Sequence, residues 1–439
     1  MAGADPDEAW TALRALSSGQ RVEISDGHGQ TWTGTIVPRA ETAPDRVVQL
    51  KLDSGYNVGI RVGPGFRARV VPPDPVAPTP RRSSTAPEPP PAADGPWVAL
   101  LTTGGTIASR VDYETGGVRP VKDEREILDF YPELESEGRV RIVPVFDRLS
   151  EDIAPDDWVT LAHRVVEVFS NGAQGVVVAH GTDTLAFTSA ALSFLLQDLP
   201  GPVVLVGAQR SPDRPSSDGP SNLAAGVQVA RSPIAGEVFV VMHAGLSDGR
   251  FAIHRGTWVR KMHSSRRDAF ESRNGPPVGY VDADGVHWEL AVRPAAAGPP
   301  RVDGPLDGSG GLLWSFPGLA PERAEAFVRD LRGVVLAGTG LGHIAHPHLD
   351  WIRRASAAGK VVAMTTQCLE GNVDPFVYAT GRDLQGAGVV YLGDLLPEVA
   401  YVKLLWALGH ATDPKAVEAL LLSDVAGEFQ WRHRTGGDP

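Results

Sequence analysis

The chain has 439 residues, a formal net charge of −12 and a single cysteine, Cys368. This length allows two or three domains, each with its own core, and one cysteine excludes an intrachain disulfide and a multi-cysteine zinc site. The negative charge argues against broad, nonspecific binding to nucleic acid. No apolar run approaches the roughly 18 residues that a membrane helix needs, and residues 1–10 lack the pattern of a signal peptide. We therefore expect a cytoplasmic chain that does not bind membranes.

Residues 1–70 predict a small β-barrel of the SH3-like type. Short alternating segments, RVEISD, TWTGTIVP, VVQLKLD and NVGIRV, are separated by turn signals such as Asp-Gly and Ser-Gly. Residues 71–95 follow, and they are so rich in Pro, Ala and Ser that we expect a semi-extended linker there.

Residues 96–295 predict a larger α/β domain. Apolar, β-branched runs such as WVALLTTGG, GVVVAHG and PVVLVGA alternate with helical segments, which is typical of a mostly parallel, doubly wound sheet with helices on both faces. A connector rich in Pro and Gly occupies residues 296–310. Beyond it, GLLWSF, GVVLAGTG and KVVAMTT predict a smaller α/β domain over residues 311–439.

Polar residues follow three strands of the larger α/β domain. They form the segments TTGGT (102–106), HGTDT (180–184) and GAQR (207–210), the last leading to SDGP (217–220). The glycines allow sharp turns and close approach of the backbone to a ligand, whereas the Thr or Asp residues could simply cap the following helices. Because ligands bind beyond the carboxyl ends of parallel strands, three such junctions together favour a binding site.

The same junctions resemble the active-site segments of a known enzyme family. TTGGTIAS, VDYETGGV, LSED, VVAHGTDTLAFTSAAL, VVLVGAQR with SSDGPSN, and RGTWVRKMHSSRRDAF occur here in the order found in bacterial-type L-asparaginases and glutaminases. The resemblance covers essentially everything after Trp97. It implies an asparaginase-like α/β fold and an amidohydrolase that acts on a side-chain carboxamide without a metal or cofactor.

The resemblance implies five catalytic residues. Thr106 matches the family's first nucleophile, and Tyr113 matches its activating phenol. Thr182, Asp183 and Lys261 match the second catalytic cluster. The sequence alone does not decide which threonine attacks first.

The family's substrate-anchoring residues match Ser150 and Glu151, with Asp183 holding the α-amino group of the substrate. A helix-capping role for Ser150 and Glu151, and a solvated role for Lys261, are the structural alternatives. Lys261 is nevertheless one of only six lysines among 41 basic residues, so we favour a catalytic role for it.

The chemistry of these residue types fits amide hydrolysis. A threonine hydroxyl is a poor nucleophile at neutral pH and needs a neighbouring base, and a lysine beside a carboxylate can relay protons. We expect Thr106 to attack the carboxamide carbon and expel ammonia. Water activated by Thr182, Asp183 and Lys261 would then hydrolyse the acyl-enzyme.

Several segments resemble a narrower group, the GatD subunits of archaeal glutamyl-tRNA(Gln) amidotransferases. These segments include GYNVGIRV, SED, HRGTWVRKMHSSRRDAF, GTGLGH, TTQCLEG and LPEVAYVKLLWALG. Secreted asparaginases usually carry Gln at Glu151 and often Asn at Leu341, so free asparagine is a less certain substrate here. The resemblance implies a homodimer that supplies ammonia to a GatE-like partner and thereby contacts tRNA indirectly.

Three alternatives stay open at this point. The chain could be a standalone L-asparaginase, an amidase for a carboxamide on a peptide or carrier held by the barrel, or a binding subunit without turnover. Its small-molecule substrate could be Gln or Asn.

Other conspicuous residues predict no site. His343, His346 and His348 have a spacing that suits a metal, but no nearby acid or cysteine completes a ligand set, so we expect a loop. Cys368 is expected to be an inert, packed thiol because no base accompanies it. The segment GTGLGH lacks the third glycine and the downstream acid of a dinucleotide loop.

Overall fold

The structure is a computed structural model. It describes residues 8–26, 28–37, 45–52, 57–72, 95–104, 109–111, 118–120, 139–210, 217–247 and 249–430.

A small antiparallel sheet forms the N-terminal part of the chain. Its elements are α1 (Glu8–Arg14), β1 (Arg21–Ser25), β2 (Thr31–Ile36), β3 (Val47–Leu52), β4 (Asn57–Arg61) and β5 (Arg67–Val70). The strand order is β4-β3-β2-β1-β5, and every pairing is antiparallel. Alternate apolar residues such as Val22, Ile24 and Leu50 are fully buried. The small β domain that the alternating pattern predicts is confirmed.

The next region is built around one large sheet. Its strands are β6 (Trp97–Thr102), β7 (Ser109–Val111), β8 (Val118–Pro120), β9 (Val140–Pro144), β10 (Ala173–Ala179), β11 (Leu196–Gln197), β12 (Val203–Val206), β13 (Val238–His243), β14 (Phe251–Arg255), β15 (Val259–Lys261), β16 (Phe270–Ser272), β17 (Gly279–Asp282), β18 (Gly285–Trp288) and β19 (Arg301–Val302). Eight of them pair in the order β18-β17-β14-β13-β12-β10-β6-β9. The five strands from β13 to β9 are parallel, and β14, β17 and β18 add an antiparallel edge.

Helices cover both faces of this sheet, as the sequence predicts. They are α2 (Pro155–Ser170), α3 (Leu185–Leu195) and α4 (Gly219–Ala230), and a 3-10 turn spans Ser150–Asp152. α2 and α3 share a core with Leu101 and Val178, whereas α4 packs in a second core with Leu100 and Val177. The strand residues alternate between the two cores because side chains point to opposite faces of a strand. Both faces are therefore buried, which explains the continuous apolar runs.

The C-terminal region contains a second, smaller parallel sheet. Its elements are β20 (Gly310–Trp314), α5 (Pro321–Val328), β21 (Gly333–Gly338), a 3-10 turn (His346–His348), α6 (Leu349–Ala357), β22 (Val361–Thr366), α7 (Ala379–Gly386), β23 (Val389–Tyr391), α8 (Pro397–His410) and α9 (Pro414–Leu422). The strands pair in the order β20-β21-β22-β23, all parallel.

Helix α8 joins the two α/β regions. Its Trp406 stacks on Phe194 of α3 with ring centres 6.0 Å apart, and its Tyr401 meets Phe187 of α3 edge to face at 6.3 Å. Residues of α8 belong to the same buried core as α2 and α3. Among the described helices, none is long and apolar enough to cross a membrane.

Candidate active site

The first two predicted junctions meet because their strands are neighbours. β6 and β10 pair in parallel, so Thr102 and Ala179 stand side by side at the carboxyl edge of the sheet. Just beyond that edge, Thr103 Oγ1 donates a hydrogen bond to the carbonyl of Ala179 at 3.0 Å. Gly104 has a φ of +94°, and a Cβ there would lie 2.5 Å from the Arg148 carbonyl oxygen. Only glycine fits this turn, which brings the TTGG segment against the backbone at Arg148.

Thr106 and Tyr113, the predicted nucleophile and its activating phenol, lie outside the described residues. The described chain ends at Gly104 and resumes at Ser109. Their proposed positions therefore follow from the sequence alone.

Thr182, Asp183 and Lys261 come together in the structure. The Lys261 Nζ donates to Thr182 Oγ1 at 2.8 Å and to Asp183 Oδ1 at 2.7 Å. The Thr182 residue is 6% exposed, the Lys261 side chain 13% and the Asp183 side chain 67%. One ammonium group thus links a buried hydroxyl to a carboxylate that is open to solvent. We name these three residues the Thr–Lys–Asp cluster.

Lys261 reaches the turn from a separate hairpin. β15 pairs with β16 in antiparallel register, with Lys261 opposite Phe270. Val259 and Phe270 are buried and anchor the hairpin in the main core, which directs the lysine side chain toward the end of β10. The nine-residue spacing between Lys261 and Phe270 is therefore the span of this hairpin.

Ser150 and Glu151 lie next to the same turn. Thr184 Oγ1 donates to the carbonyl of Ser150 at 2.6 Å, and a Cβ on Gly181 would lie 2.7 Å from Ser150 Cβ. Ser150 is buried, and its Oγ lies 3.4 Å from Glu151 Oε2. Glu151 is exposed. The structure therefore places both proposed anchoring residues beside the HGTDT turn.

Thr184 and Asp218 do not cap the helices that follow them, although the sequence allows that alternative. Thr184 occupies the N-cap position of α3, but its side chain accepts no capping hydrogen bond and donates to Ser150 instead. Asp218 occupies the N-cap position of α4, yet its carboxylate accepts from the backbone N–H groups of Gln209 and Arg210 at 3.1 and 3.0 Å. Both side chains tie one loop to another loop.

His180, which the sequence patterns assigned no role, organises the turn from below. Its Nδ1 lies 2.6 Å from the Gly181 carbonyl oxygen, so this nitrogen carries the proton and donates. Its Nε2 accepts from Thr188 Oγ1 at 2.9 Å, and Thr188 in turn accepts from Trp158 Nε1 at 3.0 Å. Burial lowers the pKa of His180 to about 4, so the ring is neutral at physiological pH. Its position directly after the apolar run VVVA was the one signal in the sequence.

A second buried network supports the neighbouring loop. Asn222 on α4 donates from Nδ2 to the Gly207 carbonyl at 2.9 Å and to Asp218 at 3.1 Å. The ring of His243 at the end of β13 lies 2.7 Å from Asn222 Oδ1. A Cβ on Gly207 would lie 2.6 Å from Thr182 Cγ2, so this loop also packs directly on the Thr–Lys–Asp cluster.

The histidines of the HIAHPH segment serve packing, as expected for a loop. His348 donates from Nε2 to the Leu319 carbonyl at 3.1 Å and accepts from Trp351 Nε1 at 2.8 Å, so both of its ring nitrogens are occupied. His343 packs edge to face on Tyr378. Cys368 is exposed, which contradicts the expectation of a packed thiol: it follows the end of β22, where the chain leaves the core.

The chain matches three protein-family models. The Asparaginase N-terminal model matches residues 97–293, the Glutaminase/Asparaginase C-terminal domain model 311–421, and the GatD N-terminal domain model 16–71. The GatD subunit of the glutamyl-tRNA(Gln) amidotransferase from Pyrococcus horikoshii is 43% identical over 411 residues, which are 93% of each chain. The chain belongs to the asparaginase family. Within that family it is an amidohydrolase of the asparaginase type and a homologue of the GatD subunits.

Other members of the asparaginase family extend this comparison. The GatD subunit of Methanopyrus kandleri is 43% identical over 431 residues, covering 96% of this chain and 93% of that one. The thermostable L-asparaginase from Thermococcus kodakarensis aligns with a TM-score of 0.70 and 36% identity, over 76% of this chain and 99% of that one. L-asparaginase I from Vibrio cholerae aligns with a TM-score of 0.65 and 28% identity, over 76% and 100%. Similarity to the GatD subunits thus spans more of the chain than similarity to the solved asparaginases.

The neutral, buried His180 makes the fold sensitive to acid. Its pKa falls from 6.5 in the unfolded chain to about 4 in the folded one, so its stabilising contribution is complete above pH 6.5 and is lost as the pH falls toward 4. Within that window the loss approaches about 1.4 kcal/mol per pH unit. We expect the drop in melting temperature between pH 7 and pH 5 to be smaller in His180→Asn than in the wild type. An equal drop in both would contradict this assignment.

Proposed function

We propose that this chain is a threonine amidohydrolase that releases ammonia from the side-chain carboxamide of glutamine or asparagine. In the form best supported by its relatives, it is a GatD-like subunit that supplies the ammonia to a GatE-like partner for amidation of Glu-tRNA(Gln). The observation that carries the proposal is the Lys261 ammonium shared between Thr182 Oγ1 and Asp183 Oδ1 at the end of β10. Such a cluster supplies and removes protons beside a nucleophile, which is what two-step amide hydrolysis requires.

The first step forms an acyl-enzyme. The Thr106 hydroxyl loses its proton to the Tyr113 phenolate and forms a C–O bond to the carboxamide carbon. The tetrahedral intermediate collapses with cleavage of the C–N bond, and the leaving amine takes up that proton and departs as ammonia. Backbone N–H groups in the glycine-rich turn are suited to hold the oxyanion. A first attack by Thr182 is the alternative order.

The second step returns the free enzyme. A water molecule gives up a proton to the Thr–Lys–Asp cluster and attacks the ester carbon, and the C–O bond to Thr106 breaks with return of a proton to its oxygen. Thr182 is nearly buried, whereas Asp183 is largely exposed, so the cluster spans the boundary between the protein interior and the solvent. This position suits a group that must exchange protons with water.

Carboxylates near the turn suit a substrate that carries an α-ammonium group. Asp183 and Glu151 are both exposed, and Lys261 neutralises the first of them through its 2.7 Å contact. Opposite charges within about 4 to 6 Å stabilise one another, so the remaining negative charge favours an amino-acid ammonium. Ser150 stands beside Gly181 and is the proposed partner for the substrate carboxylate.

Assembly into a homodimer and a complex is part of the proposal. At the carboxyl edge of the second sheet, Phe316 and Tyr378 are exposed around an open cavity of about 680 Å³ that also contains Leu341. This apolar edge suits contact with a second copy in the homodimer that the family resemblance implies. The match of residues 16–71 to the GatD N-terminal domain supports a partner protein, and we place the reaction in the cytoplasm with tRNA as an indirect partner.

The second candidate function is that of a standalone L-asparaginase. It is favoured by the alignment with the Thermococcus kodakarensis enzyme, which covers 99% of that enzyme without needing the N-terminal β domain. An amidase for a carrier-bound carboxamide would keep the same chemistry and use the N-terminal domain to hold the carrier.

Removal of the cluster tests the amidohydrolase mechanism. We expect Lys261→Met and Thr182→Val to lower ammonia release from glutamine or asparagine by at least about 100-fold, the usual contribution of positioned acid–base groups. Thr106→Ala should abolish the first step. Lys415→Met serves as the matched control, because the Lys415 side chain is 82% exposed and pairs only with Glu418 among the described residues. Full activity in folded Lys261→Met and Thr182→Val would contradict the proposal.

Deletion of residues 1–70 separates the two candidate functions. A chain that supplies a partner through its N-terminal domain should then lose glutaminase stimulation by the partner and Glu-tRNA(Gln), while hydrolysis of a small free amide is retained. Steady-state ammonia release with and without the partner measures both quantities. Strong turnover of free asparagine that is indifferent to partner and tRNA would instead select the standalone enzyme.

A further inference from the structure

The last described residues fold back onto the hairpin that carries Lys261. After α9, residues 423–430 run as an irregular segment, which we name the C-terminal arm. It lies far from the HGTDT turn in sequence and belongs to neither sheet. It nevertheless contacts the hairpin that carries Lys261, a member of the Thr–Lys–Asp cluster.

A buried ion pair anchors the arm to α8. Lys403 and Glu428 have fully buried side chains, with Lys403 Nζ 2.6 Å from Glu428 Oε1. Lys403 also donates to the Ser423 carbonyl and lies 4.5 Å from the centre of the Phe429 ring. The Glu428 carboxylate accepts from the backbone N–H of Ala426 at 2.6 Å. Loss of either charge would strand the other in the interior, so the pair holds the arm in one position.

The arm forms hydrogen bonds with the residues at both ends of the β15–β16 hairpin. Trp258, the residue before β15, donates from Nε1 to the Gly427 carbonyl at 2.8 Å. Arg273, the residue after β16, accepts at its carbonyl from Gln430 Nε2 at 2.7 Å. The hairpin base is closed by the Arg273 N–H, which donates to the Trp258 carbonyl at 2.9 Å. The arm therefore contacts Trp258 and Arg273, the two residues that flank the hairpin.

The same arm also connects the hairpin to the second α/β region. The Gln430 N–H donates to Asp394 Oδ2 at 3.0 Å, and Asn274 Nδ2 donates to the Asp394 carbonyl at 3.1 Å. Helix α8 adds a direct contact, since Arg260 lies 3.1 Å from Glu398. Movement of α8 or of the second sheet would therefore reach the hairpin through these contacts.

The hairpin needs such support because of its size. β15 and β16 pair over only three residues each, and an isolated two-stranded hairpin is marginally stable in water. Lys261 has a long, flexible side chain, and its Nζ must stay within hydrogen-bond distance of two oxygens at once. Its backbone must be fixed for both contacts to persist, since a displacement of about 1 Å is enough to impair a catalytic group.

We propose that the C-terminal arm positions Lys261 for catalysis, with Trp258 as the positioning residue through which it acts. The inference rests on the proposed role of Lys261 in amide hydrolysis. It makes the C-terminal arm and the Lys403–Glu428 pair part of the active-site framework, although no contact is seen between these residues and the Thr–Lys–Asp cluster in the described structure.

The test is a double-mutant cycle on turnover in the full-length chain. Trp258→Phe keeps an aromatic ring but removes the donor to Gly427, and we expect it to lower kcat about 10-fold while KM changes less than 2-fold. In a Lys261→Met background the same substitution should have no further effect on the residual kcat. Trp351→Phe is the matched control, because it also removes one Trp Nε1 hydrogen bond, the one to His348 in the core of the second α/β region. The control should leave kcat unchanged.

A second variant guards against a folding defect. Gln430→Ala removes the bond to the Arg273 carbonyl at the partly exposed end of the arm, and it should lower kcat in the same direction without changing the melting temperature by more than the control does. An equal loss of kcat from Trp258→Phe with and without Lys261 would overturn the positioning role. Unchanged kcat in both Trp258→Phe and Gln430→Ala would overturn it as well. If Lys261→Met alone keeps full turnover, the proposed function itself fails, and the inference falls with it.

Discussion

The candidate active site depends on one interaction, in which the Lys261 ammonium is held between a hydroxyl and a carboxylate from consecutive residues of a single turn. Thr182 Oγ1 and Asp183 Oδ1 lie 2.8 and 2.7 Å from the same nitrogen. Because both contacts are made by the end of one long side chain, they persist only if the turn and the hairpin are fixed relative to each other. Much of the surrounding structure meets that requirement.

The turn is fixed by close packing that only small or specific residues allow. The missing side chains of Gly181, Gly207 and Gly104 allow close packing of Ser150, Thr182 and the backbone at Arg148, respectively. Beneath the turn, the neutral ring of His180 connects the Gly181 carbonyl to Thr188 on α3. Burial would make a charged ring costly there, so the proton stays on Nδ1 and the hydrogen bonds keep one direction. The hairpin is fixed by its own buried residues and by the C-terminal arm.

Local patterns predicted the parts of the fold that local physics determines. Buried parallel strands need β-branched residues on both faces, so VVLV and GVVLAG identified β12 and β21, and alternation identified the N-terminal β domain. The antiparallel edge formed by β14, β17 and β18 carried no comparable signal. The segment boundaries proposed at residues 70, 95, 295 and 310 stay predictions.

Local sequence patterns predict only some of the residues of the candidate site. Thr182 and Asp183 follow a strand, but Lys261 is 78 residues beyond Asp183, and only the family resemblance joined it to them. The roles of the Thr–Lys–Asp cluster, Ser150 and Glu151 stay proposals supported by their proximity. The roles of His180, Trp258 and the Lys403–Glu428 pair could not be derived from the sequence, since their partners are set by tertiary packing. A capping role for Thr184 does not hold, since its hydroxyl accepts no capping hydrogen bond and donates instead to the Ser150 carbonyl of a distant loop.

The central claim is that the Thr–Lys–Asp cluster completes a reaction begun by another threonine. Intact-protein and peptide mass spectrometry of Lys261→Met after incubation with glutamine tests it most directly. The account predicts that one glutamyl group accumulates on Thr106, because attack and loss of ammonia proceed while hydrolysis of the ester is slowed. A glutamyl group on Thr182, or undiminished turnover with no adduct, would contradict it.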